Sequence, residues 1–263
     1  MDDLRPGPLS TVPIAADTVG LLEGMATTRA IRRYLPEPVP EGALRDMLFA
    51  ATRAPSGSNR QPFRFVVLQH GAVAAEAKRL LAGAARALWD HKVTNDRYDR
   101  GSGAVDGSPK ARMATVMASY TEHFETVPVV VLPCMIRYRA PASSEGGSIY
   151  PACQNLLLAA RALGYGGVLT GFHHAVEADL KRLIGIPDEA FIASTITIGR
   201  PAGHHGPVRR RPLHELVYDG AWGTAPAWAI DPPGTQHTSA GPPKGTVPTP
   251  PLAAITTEGG TRG

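Results

Sequence analysis

Two cysteines in 263 residues, Cys134 and Cys153, leave no CxxC pair for a metal or redox motif. Both lie in apolar surroundings and read as reduced core residues instead of a disulfide. Strong charge of either sign is also missing. Lys plus Arg number 27 against 23 for Asp plus Glu, a net charge of +4 that gives no support by itself to nucleic-acid binding. Long hydrophobic runs are absent too: the longest, Val127 to Ile136, is interrupted by Pro133 and is too short to span a bilayer. The opening Met1-Asp2-Asp3 has neither the basic nor the apolar region of a signal peptide. The expectation is a soluble, cytoplasmic protein with no membrane and no nucleic-acid partner. What is present is apolar material, 43% of residues, enough for a sizeable core and too much for a disordered chain.

Proline and glycine divide the chain. From Asp231 to Gly263 it is dominated by Pro, Gly, Thr and Ala, with Pro232-Pro233, Pro242-Pro243 and Pro250-Pro251, and is expected to be a disordered tail. Residues 1–14, with Pro6, Gly7, Pro8 and Pro13, read as a flexible lead-in. Residues 15–230 remain as one domain.

Within it, helical spacing dominates. Val19, Leu22 and Met25 share a face behind a cap at Asp17 or Thr18. Glu41 to Arg53 carries a stripe of Leu44, Met47, Leu48 and Ala51 behind Pro40. Further helices are expected over Ala72–Trp89 and Lys110–Phe124. Pro151–Leu163 has the widest apolar face and a left-handed stop at Gly164, and a short helix spans Glu177–Ile184. Runs rich in β-branched residues predict strands over Arg64–Gln69, Val127–Leu132, Gly167–Thr170 and Ile192–Gly199. The pattern is an α+β sandwich with helices packed on a sheet. The polar, Gly-rich stretch His91–Pro109 reads as a structureless insert, either a lid or a tolerated surface insertion.

Three clusters carry candidate chemistry: Thr28-Arg29-Ala30-Ile31-Arg32-Arg33-Tyr34, Ala54-Pro55-Ser56-Gly57-Ser58-Asn59-Arg60-Gln61-Pro62-Phe63, and Arg209-Arg210-Arg211-Pro212. Guanidinium forks beside exposed Gly/Ser backbone suit a phosphate monoester, with its near-double charge and three acceptor oxygens. Singly, each has a plainer reading: an arginine run as a solvated face, and Pro-Ser-Gly as a turn.

Taken together with the helix Gln154-Asn155-Leu156-Leu157-Leu158-Ala159-Ala160-Arg161-Ala162-Leu163-Gly164, and with Gly185-Ile186-Pro187 and Ile198-Gly199-Arg200-Pro201, these clusters resemble the FMN-dependent nitroreductase family. Pro38-Val39-Pro40 and the stretch Ala54–Phe65 match its signatures closely. The resemblance implies a nitroreductase-like fold, with a central, mostly antiparallel sheet between helices. It also implies an obligate homodimer with FMN at the interface, NAD(P)H as co-substrate and a small aromatic acceptor, a nitro compound or quinone, reduced by a ping-pong scheme.

By the same resemblance, Arg29, Ala30 and Arg32 approach the flavin, with Arg32 near N1/O2. Pro55, Ser56 and Gly57 reach it from the partner subunit. Leu169, Thr170 and Gly171 lie beside the ring, with Thr170 and Gly171 near N5, and Arg209 and Arg211 hold the phosphate. Thr28 stands where the family has its first arginine and Ala30 where it has serine, so one contact is missing or is supplied by Arg29. Phe63 replaces the more usual tryptophan. Because the flavin carries the redox step, no protein acid, base or nucleophile is required. A guanidinium at N1/O2 favours the added negative charge by roughly 4 kcal/mol, for unit charges at 4 Å and an effective dielectric near 20, before desolvation.

Two alternatives remain: a specialised flavin enzyme of the same fold, acting on a biosynthetic intermediate, removing halogen or consuming flavin, and a non-catalytic flavin-binding module. No metal is expected. His173-His174 and His204-His205 are adjacent pairs, which on a strand point to opposite faces, and no carboxylate or cysteine spacing completes a ligand set.

Overall fold

The computed structural model describes residues 18–239. The expected lead-in, and residues 240–263 of the expected tail, lie outside them. The chain divides into two compact units, one reaching to Val208 and one beginning at Arg209.

In the first unit five strands form one sheet: β1 (Phe63–Leu68), β2 (Val129–Ile136), β3 (Gly166–Thr170), β4 (Ala190–Ile192) and β5 (Thr195–Gly199). The order is β1-β2-β5-β3, β4 also pairs with β2, and every pairing is antiparallel. Side chains alternate across the central strand β2 with the two-residue period of a pleat. Val129, Val131 and Met135 join one core with Phe63, Ile196 and Ile198. Val130, Leu132 and Cys134 join the other with Leu68, Val168 and Ile192.

Helices cover both faces. On the first, α2 (Glu41–Thr52) buries Leu44, Met47 and Ala51, and α5 (Tyr150–Ala162) buries Ala152, Cys153, Leu156 and Ala160. On the second, α3 (Ala72–Asn95) inserts a small-residue face of Ala74, Ala77, Leu81, Ala82 and Ala85. It is joined by Tyr120 of α4 (Pro109–Glu122) and Leu180 of α6 (Glu177–Ile184). Pro109 sits in the first turn of α4, and the Ser108 hydroxyl accepts the Ala111 N–H at 2.9 Å, a side-chain cap. Gly164 and Gly185 close α5 and α6 with φ of 80°, which a side chain would strain. Both cysteines are free and buried, and burial pushes each thiol up to about 11.

Two expectations need correction. The strand expected over Ile192–Gly199 is two strands. β2 pairs Val131 with Ile196 but Cys134 with Ile192, one residue out of step, so Ala193-Ser194 contains a bulge that re-aims the chain. The insert expected from His91 is helical for its first turn. α3 continues to Asn95, Trp89 packs on Tyr98 at 5.0 Å between ring centroids, and a 3-10 turn spans Gly101–Gly103. The apolar stripe of α1 (Leu21–Thr27) does not enter the core: Leu22 is 79% and Met25 51% exposed.

In the second unit a 3-10 turn spans Leu213–Glu215, and the Asp231 carboxylate accepts the Leu213 N–H at 2.9 Å. Arg210 pairs with His237 in a short bridge.

Candidate functional site

Residues 28–35 run extended beside the sheet. Ile31 is buried and its N–H donates to Gly167 O of β3 at 3.0 Å, while the Leu35 N–H donates to Arg200 O at 2.9 Å. A Cβ at Gly166 would come within 2.6 Å of Ile31 Cγ1, so only glycine lets the segment lie this close. Tyr34 anchors it from below. The hydroxyl of Tyr34 donates to Ile31 O at 2.6 Å and lies 2.7 Å from Thr197 Oγ1, which in turn is 2.8 Å from the Tyr120 hydroxyl. Burial pushes both phenols well above their ordinary range, so both stay neutral.

With Ile31 turned inward, Arg29, Ala30, Arg32 and Arg33 border a cavity of about 500 Å³. Its far wall comes from α4: Pro109, Arg112, Met113 and Val116. Gly203 and His204 complete it. Among the described residues, four arginines and no carboxylate line this space, a field that attracts anions. One Arg29 N–H donates to His204 O at 2.9 Å. Arg32 Nε and Thr28 Oγ1 are buried with no hydrogen-bond partner among the described residues. Buried donors are nearly always satisfied, so an unmatched guanidinium N–H at a cavity wall points to a ligand acceptor. Behind the segment, His205 Nε2 contacts Tyr165 O at 3.0 Å, and burial lowers the pKa of this imidazole.

The other expected residues fall elsewhere. Pro55, Ser56 and Gly57 open a tight turn outside this cavity. The Gly57 N–H donates to Ser148 Oγ at 3.1 Å and the Gln61 N–H to Ser56 Oγ at 2.9 Å. Ser58, Asn59 and Gln61 all have φ near +50°, three left-handed non-glycine residues within one turn, strain of the kind found at functional turns. Leu169, Thr170 and Gly171 lie at the end of β3, the strand that pairs with Ile31. Leu169 is exposed, and the Thr170 hydroxyl donates to Thr195 O at 3.2 Å. Arg209 and Arg211 belong to the second unit, where Arg209 Nε donates to Gln236 Oε1 at 3.1 Å and Arg211 pairs with Glu215.

The α4 wall was not legible beforehand. Arg112, Met113 and Val116 follow helical spacing, but nothing local marks that face as a cavity lining. His173 and His174, expected to point to opposite faces of a strand, instead stand together with ring centroids 4.1 Å apart. The pair sits on a turn and a 3-10 helix (His174–Val176) after β3, not on a strand, and Glu177 lies alongside.

The sequence profile of the nitroreductase family matches residues 25–200. An NADH dehydrogenase of Thermus thermophilus is 31% identical over 190 residues, covering 72% of this chain and 90% of that one. A solved structure from Desulfovibrio desulfuricans, described as a nitroreductase in complex with FMN, is 27% identical with a TM-score of 0.55, covering 76% of this chain and 96% of that one. The FMN- and NADPH-dependent nitroreductase NfnB of a Sphingopyxis strain shares the fold at 19% identity, with a TM-score of 0.57 over 78% of this chain and 100% of that one.

Proposed function

This chain belongs to the nitroreductase family, and on that premise we propose that it is an FMN-dependent oxidoreductase using NAD(P)H to reduce small aromatic acceptors such as nitro compounds and quinones. The observation that carries this reading is the cavity walled by Arg29, Arg32, Arg33 and Arg112, with a buried, unmatched Arg32 Nε. Its volume falls within the roughly 300–1,000 Å³ of ordinary cofactor pockets. Its charge suits a ligand with an anionic tail and an electron-poor carbonyl edge. The residues present therefore fit FMN.

When bound, FMN supplies the two-electron redox chemistry, so the protein's task is to bind, orient and tune. Arg32 is the group for the N1/O2 edge. The Ile31–Tyr34–Thr197–Tyr120 chain fixes the backbone from which Arg32 extends, and its guanidinium would favour negative charge there. Arg29, beside the alanine that stands at position 30, supplies the extra guanidinium. The backbone of Thr170 and Gly171 serves the N5 side. Arg209 and Arg211 serve the phosphate, which would take over Arg211 from its Glu215 partner.

Pro55, Ser56 and Gly57 complete the site from a second copy of the chain. Leu21, Leu22 and Met25, exposed on α1, together with the apolar groove formed by Val19, Gly24, Leu158 and Ala159, supply surface for such a dimer. Reductant and acceptor then occupy the same cleft in turn, which is the ping-pong order. Because Pro109, Arg112, Met113 and Val116 wall the cavity, the segment leading into α4 sets which acceptors enter.

The test is FMN titration of the double variant Arg209→Ala/Arg211→Ala. The proposal predicts a loss of at least 30-fold in FMN affinity, about 2 kcal/mol for lost charge-assisted hydrogen bonds, with the melting temperature of the flavin-free protein almost unchanged. Equal loss of fold and cofactor would assign these arginines to structure alone.

A further inference from the structure

His173, His174 and Glu177 are brought together by the way β3 ends. After Thr170 the chain turns at Gly171, makes one 3-10 turn over His174–Val176 and enters α6 at Glu177. The two imidazole rings stand 4.1 Å apart between centroids, and one ligand atom from each of the three side chains lies within 4.8 Å of the other two. Gly171 makes room for this: a Cβ there would meet His174 Cδ2 at 2.9 Å.

The three groups are unequal. His173 is completely buried, and its Nδ1 lies 3.3 Å from the Thr195 hydroxyl. The other nitrogen, Nε2, is buried without a partner among the described residues. Glu177 accepts the Ile192 N–H on Oε1 at 3.0 Å, leaving the second carboxylate oxygen for another ligand. His174 is exposed and Glu177 half-buried. Two imidazoles and one carboxylate, with an open fourth position, form a donor set that zinc uses, and imidazole suits first-row divalent cations in general. The Thr195 and Ile192 contacts are the outer hydrogen bonds that such ligands ordinarily carry.

We infer that His173, His174 and Glu177 bind one divalent transition-metal ion, of which zinc is the type case, with solvent at the remaining position. Metal–nitrogen bonds of about 2.0–2.1 Å require ligand atoms roughly 3.3 Å apart. The exposed His174 and the half-buried Glu177 close that gap onto the fixed His173. The ion clasps the β3–α6 connection, its first ligand His173 lying two residues beyond Gly171. The inference does not depend on flavin chemistry.

The test uses the full chain stripped of metal with a chelator and titrated with Co²⁺ as a spectroscopic probe, followed by displacement with Zn²⁺. One equivalent of Co²⁺ with ligand-field bands is expected, together with a rise in melting temperature on Zn²⁺ addition. His174→Gln and Glu177→Gln should each weaken binding by on the order of 10–100-fold or more and abolish the thermal shift. Both alter accessible side chains, and Glu177→Gln keeps an acceptor for the Ile192 N–H, so folding is retained. Wild-type binding no tighter than in these variants, or no Co²⁺ bands at all, would overturn the inference and leave His173 Nε2 to a water molecule.

Discussion

The two faces of the sheet bury comparable sets of aliphatic side chains but differ in what else they hold. The face under α2 and α5 is mostly apolar, with polar contacts at its margins: Asn155 Nδ2 donates to Ala50 O at 3.3 Å, the Tyr150 hydroxyl to Ala193 O at 3.3 Å, and Cys153 Sγ lies 3.8 Å from Ser194 Oγ. The face under α3, α4 and α6 contains the Lys78 ammonium, donating to Val127 O at 2.8 Å. It also holds the Tyr120–Thr197–Tyr34 chain and the buried His173. The difference is instructive. A face that only holds the fold together can be sealed with methyl groups. A face that backs a binding segment carries polar groups, and these are paired apart from His173 Nε2, because an unmatched one costs roughly 1–3 kcal/mol.

Substitutions can break this contrast, beginning with the largest effect. Leu156→Ala, on the sealed face, should lower unfolding free energy by about 2–5 kcal/mol through lost packing and a cavity, with FMN affinity of the folded protein within about twofold of wild type by the additivity of distant sites. Urea denaturation and FMN titration give the two numbers, and a parallel loss of affinity would erase the contrast. Arg32→Ala should do the reverse. FMN affinity should fall by about 1.5–3 kcal/mol, the range for hydrogen bonds to charged groups, and the potential of bound flavin should move downward, while stability of the flavin-free protein holds. Tyr120→Phe should cost a modest 0.5–1.5 kcal/mol, about one net hydrogen bond, because Thr197 keeps its contact with Tyr34. A loss twice that size would mean the chain acts as a cooperative unit.

Much of the fold can be read from local pattern. The β-branched run Val129-Val130-Val131-Leu132 and the stripe Cys153-Leu156-Ala160 describe a covered strand and a buried helix face without reference to the rest of the chain. What escapes such reading is set by partners. The break between β4 and β5 comes from a one-residue register change against β2, which no residue in Ile192–Gly199 announces. The exposure of the α1 stripe is likewise a matter of partners, because helical spacing identifies an apolar stripe but not what covers it. Arg29 and Arg32 were identifiable as charged residues in a signature. The wall formed by Arg112, Met113 and Val116 exists only once α4 packs opposite them. His173, His174 and Glu177 converge because the chain turns there, a geometry that strand-based reasoning excludes.

The cationic cavity as a flavin site is tested most directly by an anaerobic absorbance titration. The purified protein is loaded with FMN, freed of excess cofactor, and given NADH or NADPH. The account predicts a yellow protein whose flavin band bleaches stoichiometrically with at least one of the two nucleotides. A protein that retains no FMN, or whose bound flavin stays oxidised with both, would contradict it.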